Sequence, residues 1–299
     1  MRHLYSAVLY VLLPLLLLRM LWRSRRAPAY RRRLAERFGL FPRLPDAPGA
    51  TVVIHAVSVG EVAAAAPLVH ALLDQRPDLR LVVTTTTPTG SARVRALFGE
   101  RVAHVYLPWD LPGAVRRFLR RVRPQLLVIM ETELWPNLLR IARGRGCRTL
   151  LANARLSERS ARGYARVGAL TRRMLADLDL VACQGAEDAR RYAALGLPAA
   201  ASRTTGNIKF DLAIEPGLRT AARALREELG PAGQPVIIGA STHPGEDEQL
   251  LDALLRLRRQ RDCLLVLAPR HPERFEPVYR RCIADGWRVR RRTAGGEGG

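Results

Sequence analysis

Short apolar runs alternate with amphipathic stretches along most of this chain. Six runs rich in valine, leucine and isoleucine have the length of buried strands, at residues 52–55, 81–85, 102–106, 126–130, 149–152 and 180–183. Helical patterns lie at residues 62–73, 112–122, 134–143, 157–175 and 187–195. Short apolar strands that alternate with helices predict an α/β fold whose parallel sheet is covered on both faces.

A second alternation follows residues 211–217, a segment with Pro216 and Gly217 that is typical of an interdomain connection. Its predicted helices are residues 218–229, 246–259 and 272–284, and its predicted strands are residues 236–239, 263–268 and 287–290. The tail at residues 293–299 is small and glycine-rich. About three strands are half of what a nucleotide-binding domain of ~100–150 residues holds, so we expect an incomplete second domain.

The N-terminus has the pattern of a membrane anchor. Residues 4–18 carry no charge, and eight arginines follow between Arg19 and Arg37. A signal peptide carries its positive charge before the apolar run, whereas arginines after it hold that flank in the cytoplasm. We expect these arginines to face anionic headgroups and not a protein core. The run is shorter than the ~20 apolar residues of a comfortable span, so a spanning helix and a shallow one both remain open.

The net charge of +22 indicates an anionic partner, which is nucleic acid, an anionic membrane surface or a phosphorylated substrate. A nucleic-acid-binding surface is expected to combine clustered arginines with aromatic side chains. Here aromatic residues are only 6% of the chain and arginines occur in most predicted helices, which disfavours nucleic acid. The four cysteines include no CxxC pair, so they predict no metal site and fit a reducing compartment.

Acidic and hydroxyl side chains follow the predicted strands, where an open parallel sheet binds its ligands. Glu61, in the segment AVSVGEV, begins the helix after the first strand. A carboxylate there either complements the helix dipole or acts as a general base. Glu131 and Glu133 directly follow the strand LLVIM, and Asn153 follows the next strand along the chain.

Lys209 is the only lysine among 49 lysine and arginine residues. It is either a chance exception or a position that needs a compact ammonium in place of a planar guanidinium. No GxGxxG, GxxxxGK or GxSxG motif occurs, which argues against NAD enzymes, P-loop NTPases and serine hydrolases. The sequence Asp177-Leu178-Asp179 precedes a strand, where it is more typical of a turn than of a metal site.

Eight segments in this order together resemble the 3-deoxy-D-manno-octulosonic acid (Kdo) transferases of lipopolysaccharide synthesis: HAVSVGE, TTTTPTGSARV, YLPWDLPGAVRRFL, METELWPN, NARLSERS, GNIKFD, STHPGE and APRHPERF. The resemblance implies a GT-B fold of two Rossmann-like domains that face a cleft. We expect an anchor at residues 1–26, an acceptor domain at residues 27–210 and part of a nucleotide-sugar domain at residues 211–299. An inverting glycosyltransferase is implied, without metal or cofactor.

The resemblance also implies the substrates and the reacting groups. The donor would be CMP-Kdo, and the acceptor would be lipid IVA, the diphosphorylated and acylated disaccharide precursor of lipid A, at the cytoplasmic side of the inner membrane. Glu61 matches the base that removes a proton from the acceptor hydroxyl. Glu131 and Lys209 match positions that support the transition state. An arginine-rich, anchored protein suits an acceptor that is a membrane-embedded phosphoglycolipid.

The nucleotide contacts implied by the resemblance lie in the second domain. Pro269 and Arg270 match a loop that contacts the nucleotide, and Ser241 and Thr242 are expected nearby. The family pattern continues past residue 299 with a glycine-rich segment that completes the nucleotide site, so this chain resembles a C-terminally truncated member and we expect it to transfer little Kdo. The alternatives are a basic nucleic-acid-binding protein and a GT-B glycosyltransferase with another donor.

Overall fold

The computed structural model describes residues 2–44, 48–211, 216–230, 233–257 and 260–292. The chain forms two compact units, residues 1–213 and residues 214–299. Of the predicted connection at residues 211–217, residues 212–215 lie outside the described residues, and so does the glycine-rich tail.

Helices and strands alternate through the first unit. Its strands are β1 (Thr51–His55), β2 (Arg80–Thr85), β3 (Ala103–Tyr106), β4 (Leu126–Met130), β5 (Arg148–Ala154), β6 (Leu180–Cys183) and β7 (Ser202–Thr204). Its α-helices are α1 (Arg2–Arg26), α2 (Val59–Gln75), α3 (Pro88–Phe98), α4 (Pro112–Val122), α5 (Pro136–Arg143), α6 (Glu158–Arg166), α7 (Gly168–Leu175) and α8 (Ala186–Ala194). Short 3₁₀ turns lie at Pro28–Arg31, Leu34–Phe38, Ala199–Ala201 and Ile208–Asp211.

The strands of this unit form one parallel sheet in the order β3-β2-β1-β4-β5-β6-β7. The predicted parallel sheet is therefore confirmed. The order reverses between β1 and β4, so that the chain leaves these two neighbouring strands in opposite directions. In such sheets the crevice outside this reversal point is where ligands bind.

Alternate residues of each strand pack on opposite faces of the sheet. Val53 and Leu127 belong to a core with α4, α5, α7 and α8. Their neighbours Val52 and Val128 belong to a second core with α2 and α3. Both faces are buried because side chains of successive strand residues point to opposite sides, which explains the nearly continuous apolar runs in the sequence.

Two helical segments differ from the sequence prediction. The hydroxyl-rich residues after β2 form the start of α3, where no helix was predicted, since the Thr87 side chain accepts the Gly90 N–H at 3.1 Å and Pro88 begins the helix. The stretch 157–175 is two helices, because Val167 leaves the helical conformation (φ −111°, ψ 38°) just before Gly168. The short edge strand β7 had no signal in the sequence.

The Asp177-Leu178-Asp179 sequence is a corner between α7 and β6, as predicted. The Asp179 carboxylate accepts the Thr149 N–H at 2.8 Å and lies 3.1 Å from the Arg148 guanidinium. Both partners belong to the neighbouring strand β5, so this carboxylate fixes the start of two strands.

Arg33 and Arg37 bind the sheet domain, and the expectation that all eight N-terminal arginines face headgroups is wrong. Arg37 is only 6% exposed, donates to the Thr86 carbonyl at 2.6 Å and stacks its guanidinium 4.1 Å from the Tyr106 ring centre. Arg33 donates to the His104 carbonyl at 2.8 Å. Carbonyl acceptors and an aromatic face compensate for desolvation of the guanidinium, so this segment ties α1 to the sheet.

The second unit is also built from parallel β/α elements. It contains α9 (Pro216–Leu229), β8 (Val236–Thr242), α10 (Glu246–Leu257), β9 (Leu264–Pro269), a 3₁₀ turn (Pro272–Arg274) and α11 (Phe275–Ala284), with β8 parallel to β9. The prediction of a strand at residues 287–290 is wrong. Arg290 and Arg291 instead pair with Glu228 and Glu276 of the flanking helices, so these residues run beside the helices and not along a strand.

Gly39 offers a test of how the N-terminal segment packs on the sheet domain. It has a left-handed φ of 70°, and a Cβ added there would press into the Ala114 carbonyl oxygen and lie 3.0 Å from the Phe118 nitrogen. We expect Gly39→Ala to lower the free energy of unfolding by more than about 3 kcal/mol, because left-handed strain and a backbone clash add. Thermal unfolding of the two variants would measure this.

Gly146→Ala is the matched control. Gly146 also has a left-handed φ, 77°, but an added Cβ would meet no described atom within 4 Å. It should lose only the conformational share, about 1–2 kcal/mol. Equal losses in the two variants would contradict the close approach of Gly39 to α4.

Candidate active site

The carboxyl ends of β1 and β4 bring the strand-end carboxylates to one edge of the sheet. β1 continues into α2, which packs on one face, and β4 leads to α5, which packs on the other. The two connections diverge and leave the edge between them uncovered by either helix. Glu61 stands in the first turn of α2, and Glu131 directly follows β4.

Glu61 is held by the turn that starts α2. Its Oε2 accepts the Val57 N–H at 2.9 Å, and its Oε1 lies 3.1 Å from the Ser58 hydroxyl. Ser58 caps the helix and accepts the Glu61 N–H at 3.3 Å. This reciprocal arrangement is a variant of the capping box in which the carboxylate accepts the N–H of the residue before the cap, so the carboxylate has a fixed position at the strand end.

The pKa of the Glu61 carboxyl is raised into the neutral range. Burial raises its pKa, and the nearby Glu133 and Glu131 carboxylates raise it further, while the Val57 and Ser58 hydrogen bonds lower it; the result is a pKa of about 7. Desolvation and like charge both disfavour the ionised form. A carboxylate with a pKa near the working pH is suited to accept a proton in catalysis.

Glu131 has a strained backbone and an ion pair with Lys209. Its φ is 58°, a left-handed value that is uncommon for a residue with a side chain. Its N–H still donates to the Ala152 carbonyl at 2.9 Å, which holds the turn against β5. The Lys209 Nζ lies 3.6 Å from Glu131 Oε1. Residues held in such conformations concentrate at functional sites.

Asn153 positions the segment that carries Lys209. It also has a left-handed φ, 52°, and it is 4% exposed at the end of β5. Its Oδ1 accepts the Ile208 N–H at 3.2 Å, and its carbonyl accepts from the Gln184 amide at 3.1 Å. The Asn153 Nδ2 is buried without a hydrogen-bond partner among the described residues. The structure therefore fixes Lys209 through the backbone of the residue before it.

Glu133 belongs to the same cluster of carboxylates, although the sequence assigned it no role. Burial raises its pKa, and the Glu131 charge raises it further. Its position directly after a buried strand was the one indication of a functional role in the sequence. The sequence did not place it near Glu61, because that turn depends on the left-handed backbone of Glu131. In the described part of the chain, no group of three or more His, Cys, Asp or Glu side chains could hold a metal ion.

The predicted nucleotide-binding residues lie together at the carboxyl ends of β8 and β9. The Arg270 N–H donates to the Thr242 carbonyl at 3.1 Å, Ser241 has a left-handed φ of 59°, and the Arg270 side chain is exposed. Thr242 is different, because its buried hydroxyl donates to the Asp247 carboxylate at 2.5 Å. Its side chain therefore supports the loop, while the Arg270 guanidinium remains accessible to a ligand.

Comparison with known proteins identifies related sequences. A family model described as 3-Deoxy-D-manno-octulosonic-acid transferase (kdotransferase) matches residues 32–212. A 3-deoxy-D-manno-octulosonic acid transferase of Haemophilus influenzae is 44% identical over 278 residues, which are 93% of this chain and 65% of that protein. One of Bordetella pertussis is 40% identical over 98% of this chain and 70% of its own length. The chain thus spans about two thirds of the length of these relatives.

Solved structures share the fold at low sequence identity. A UDP-GlcNAc 2-epimerase from Neisseria meningitidis has a TM-score of 0.56 at 12% identity, over 78% of this chain and 69% of that chain. A glycosyltransferase from Rickettsia africae has a TM-score of 0.53 at 11% identity, over 79% of this chain and 65% of that chain. The predicted GT-B type of α/β fold is confirmed by this likeness, which carries no information on substrate.

Substitution of Asn153 tests whether it holds the Lys209 segment. We expect Asn153→Gly to speed hydrogen exchange of the Ile208 amide, since glycine adopts the left-handed φ but offers no side-chain acceptor. Asn153→Ala should speed it as well and should cost about 1–2 kcal/mol more in stability, because alanine is strained at this φ. Exchange measured by NMR or mass spectrometry checks both; an unchanged Ile208 amide in both variants would exclude the role.

Proposed function

The chain belongs to the Kdo transferase family, and we propose that it transfers Kdo from CMP-Kdo to lipid IVA, the disaccharide precursor of lipid A. The observation that carries this proposal is the fixed, partly buried Glu61 at the reversal point of the sheet, with a pKa of about 7. Transfer of a sugar to a hydroxyl needs a base that is ionised at neutral pH and can accept the hydroxyl proton.

In the proposed reaction Glu61 accepts the proton of the acceptor hydroxyl. The hydroxyl oxygen forms a bond to the anomeric carbon of Kdo on the face opposite the phosphate. The bond between that carbon and the phosphate oxygen breaks, CMP leaves with the electron pair, and the configuration of the sugar inverts. No metal ion or cofactor takes part in this proposal.

Lys209 is proposed to stabilise negative charge on the donor, either on the departing phosphate or on the Kdo carboxylate. Its ammonium is half exposed, and Glu131 lies on one side of it at 3.6 Å. The carboxylate of Glu131 therefore orients the ammonium and leaves other directions open to an anion. A preorganised charge of this kind acts mainly on the transition state.

Binding of the nucleotide is proposed at the β8 and β9 ends. Arg270 offers an exposed guanidinium that can bind a phosphate through two hydrogen bonds. Pro269 and the left-handed Ser241 shape the backbone on either side of it. Thr242 acts through its carbonyl, which fixes the Arg270 backbone.

The acceptor is proposed to be reached at the cytoplasmic surface of the inner membrane. Residues His3–Trp22 of α1 have a mean hydropathy of 2.0, which is apolar enough for a membrane helix. A net charge of +22 attracts both anionic headgroups and a phosphorylated glycolipid.

The proposal is tested by the product and by the pH dependence of its formation. Incubation with CMP-Kdo and lipid IVA should add the mass of Kdo to the acceptor, although we expect the 299 residues alone to convert only a small fraction of it, and a UDP-sugar should give no product. Since Glu61 must be ionised to act, kcat/KM should fall about tenfold per pH unit below pH 7. Glu61→Gln should lose about two to four orders of magnitude in rate. Near-normal transfer by this variant would remove Glu61 from the mechanism.

Lys209→Arg tests whether this position needs an ammonium. We expect kcat/KM to fall at least about tenfold, which corresponds to about 1.4 kcal/mol of transition-state stabilisation. The broader guanidinium spreads the charge and does not fit a site built around a compact cation. Arg203→Lys, in the exposed strand β7, is the control and should leave transfer unchanged. Full activity of Lys209→Arg would show that any cation suffices there.

A further inference from the structure

Helix α1 has an inner face on the first unit and an outer face whose large apolar side chains are mostly exposed. Its half-buried residues group at intervals of three, four and seven positions, and they are Tyr5, Ser6, Leu9, Leu13, Leu16, Leu17 and Met20. This spacing is one face of an α-helix. On the opposite side Leu4, Val11, Leu15, Leu18 and Trp22 are each at least 60% exposed.

The inner face is fixed by polar contacts near the start of the helix. The Tyr5 hydroxyl donates to Asp110 Oδ2 at 3.1 Å. The Ser6 hydroxyl lies 3.2 Å from Asn137 Oδ1 and 3.1 Å from Asn137 Nδ2. Tyr5 and Ser6 are the polar residues of the inner face, and both meet a polar partner.

The receiving groups are rigid and deeply buried. Asp110 is 4% exposed and Asn137 is 1% exposed. The Asp110 carboxylate accepts the Asn137 and Leu138 N–H groups at 2.9 and 2.7 Å, and its carbonyl accepts from Asn137 Nδ2 at 2.7 Å. Asp110 thus caps the N-terminus of α5, and Tyr5 and Ser6 dock on a preformed site. We refer to Tyr5, Ser6, Asp110 and Asn137 as the latch.

A spanning orientation of α1 is incompatible with the latch. Tyr5 lies 17 residues before Trp22, which is about 26 Å along a helix. In a spanning helix this distance would carry Tyr5 across most of a hydrocarbon core of about 30 Å, away from Asp110. The apolar side chains of the inner face do not require a surrounding bilayer either, since this face packs on the first unit and need not contact lipid.

We propose that α1 lies in the plane of the membrane surface, with its inner face latched to the first unit and its outer face buried in one leaflet of a bilayer with anionic headgroups. The proposal rests on the membrane association included in the proposed function. Aliphatic side chains and Trp22 on the outer face suit the interfacial region. The exposed Arg19, Arg25 and Arg32 beside them suit anionic headgroups.

The latch also sets how the sheet meets the membrane. Asp110 follows β3 and Asn137 follows β4, so both lie at the carboxyl edge of the sheet, where Glu61 and Glu131 also stand. A helix that is held there places this edge at the bilayer surface. A lipid-borne hydroxyl could then reach Glu61 without leaving the membrane.

The sidedness of residue 3 tests the proposal. A His3→Cys variant in sealed inner-membrane vesicles is treated with a membrane-impermeant maleimide, and the unsubstituted chain reports background labelling of the native cysteines. We expect labelling in inside-out vesicles, which expose the cytoplasmic side, and none in right-side-out vesicles. Labelling in right-side-out vesicles, or in neither, would overturn the proposal. A variant found only in the soluble fraction would instead contradict the membrane part of the proposed function, and the in-plane helix with it.

A cross-link between the helix and the sheet domain provides the second measurement. Ser6→Cys combined with Asn137→Cys should form a disulfide on mild oxidation in membranes, detected as a linked peptide by mass spectrometry. The matched pair Val11→Cys with Asn137→Cys should not, because Val11 lies on the outer face and is 78% exposed. Absence of the first link in a membrane-bound, folded variant, or equal yields of both, would show that α1 leaves the domain.

Discussion

The parallel pairing of β1 with β4 is the constraint on which the candidate site depends. Val52 lies opposite Leu126 and His55 opposite Ile129, so the two strands end at the same level. Their connections turn to opposite faces of the sheet, and the polar groups of the two turns remain at the opening between them. Burial at this edge raises the pKa of Glu61 to about 7, whereas the same carboxylate on a free helix terminus would be ionised throughout the neutral range.

The neighbouring strands β4 and β5 both end in left-handed residues that carry side chains. Each such residue costs about 1–2 kcal/mol relative to a glycine, so the surrounding contacts must hold it. Glu131 is held by its hydrogen bond to β5, and Asn153 by the backbone of Ile208 and the side chain of Gln184. Through these bonds the sheet fixes both members of the Glu131–Lys209 ion pair, although about eighty residues separate them in the sequence.

Regular structure was predictable where the pattern is local, and the site was predictable only in part. β4 and α4 were predicted to the residue, because apolar content and helical period are read directly from neighbouring positions. The role of Asn153 was not predicted, since its hydrogen-bond partner Ile208 lies 55 residues further along the chain. Tyr5 and Asp110 are 105 residues apart, so the apolar pattern of α1 predicted an anchor but not the face that docks. Arg37 was predicted to face the membrane, and its true partner could not be predicted. That partner is the Thr86 carbonyl, and since every residue has a backbone carbonyl, no sequence pattern identifies the one that an arginine will bind.

We infer that the sheet geometry itself raises the pKa of Glu61 into the range of a base that works near neutral pH. Direct titration tests it without a substrate: the side-chain carboxyl carbons of ¹³C-labelled glutamate are followed by NMR across pH 4 to 9, roughly the range over which shifted carboxyl groups titrate, and the Glu61→Gln variant assigns the signal. We expect this carboxyl to titrate with a pKa near 7. A titration close to the ordinary glutamate value would show that burial and the neighbouring carboxylates do not raise the pKa of Glu61, and the proposed role of Glu61 as a base tuned by the fold would be wrong.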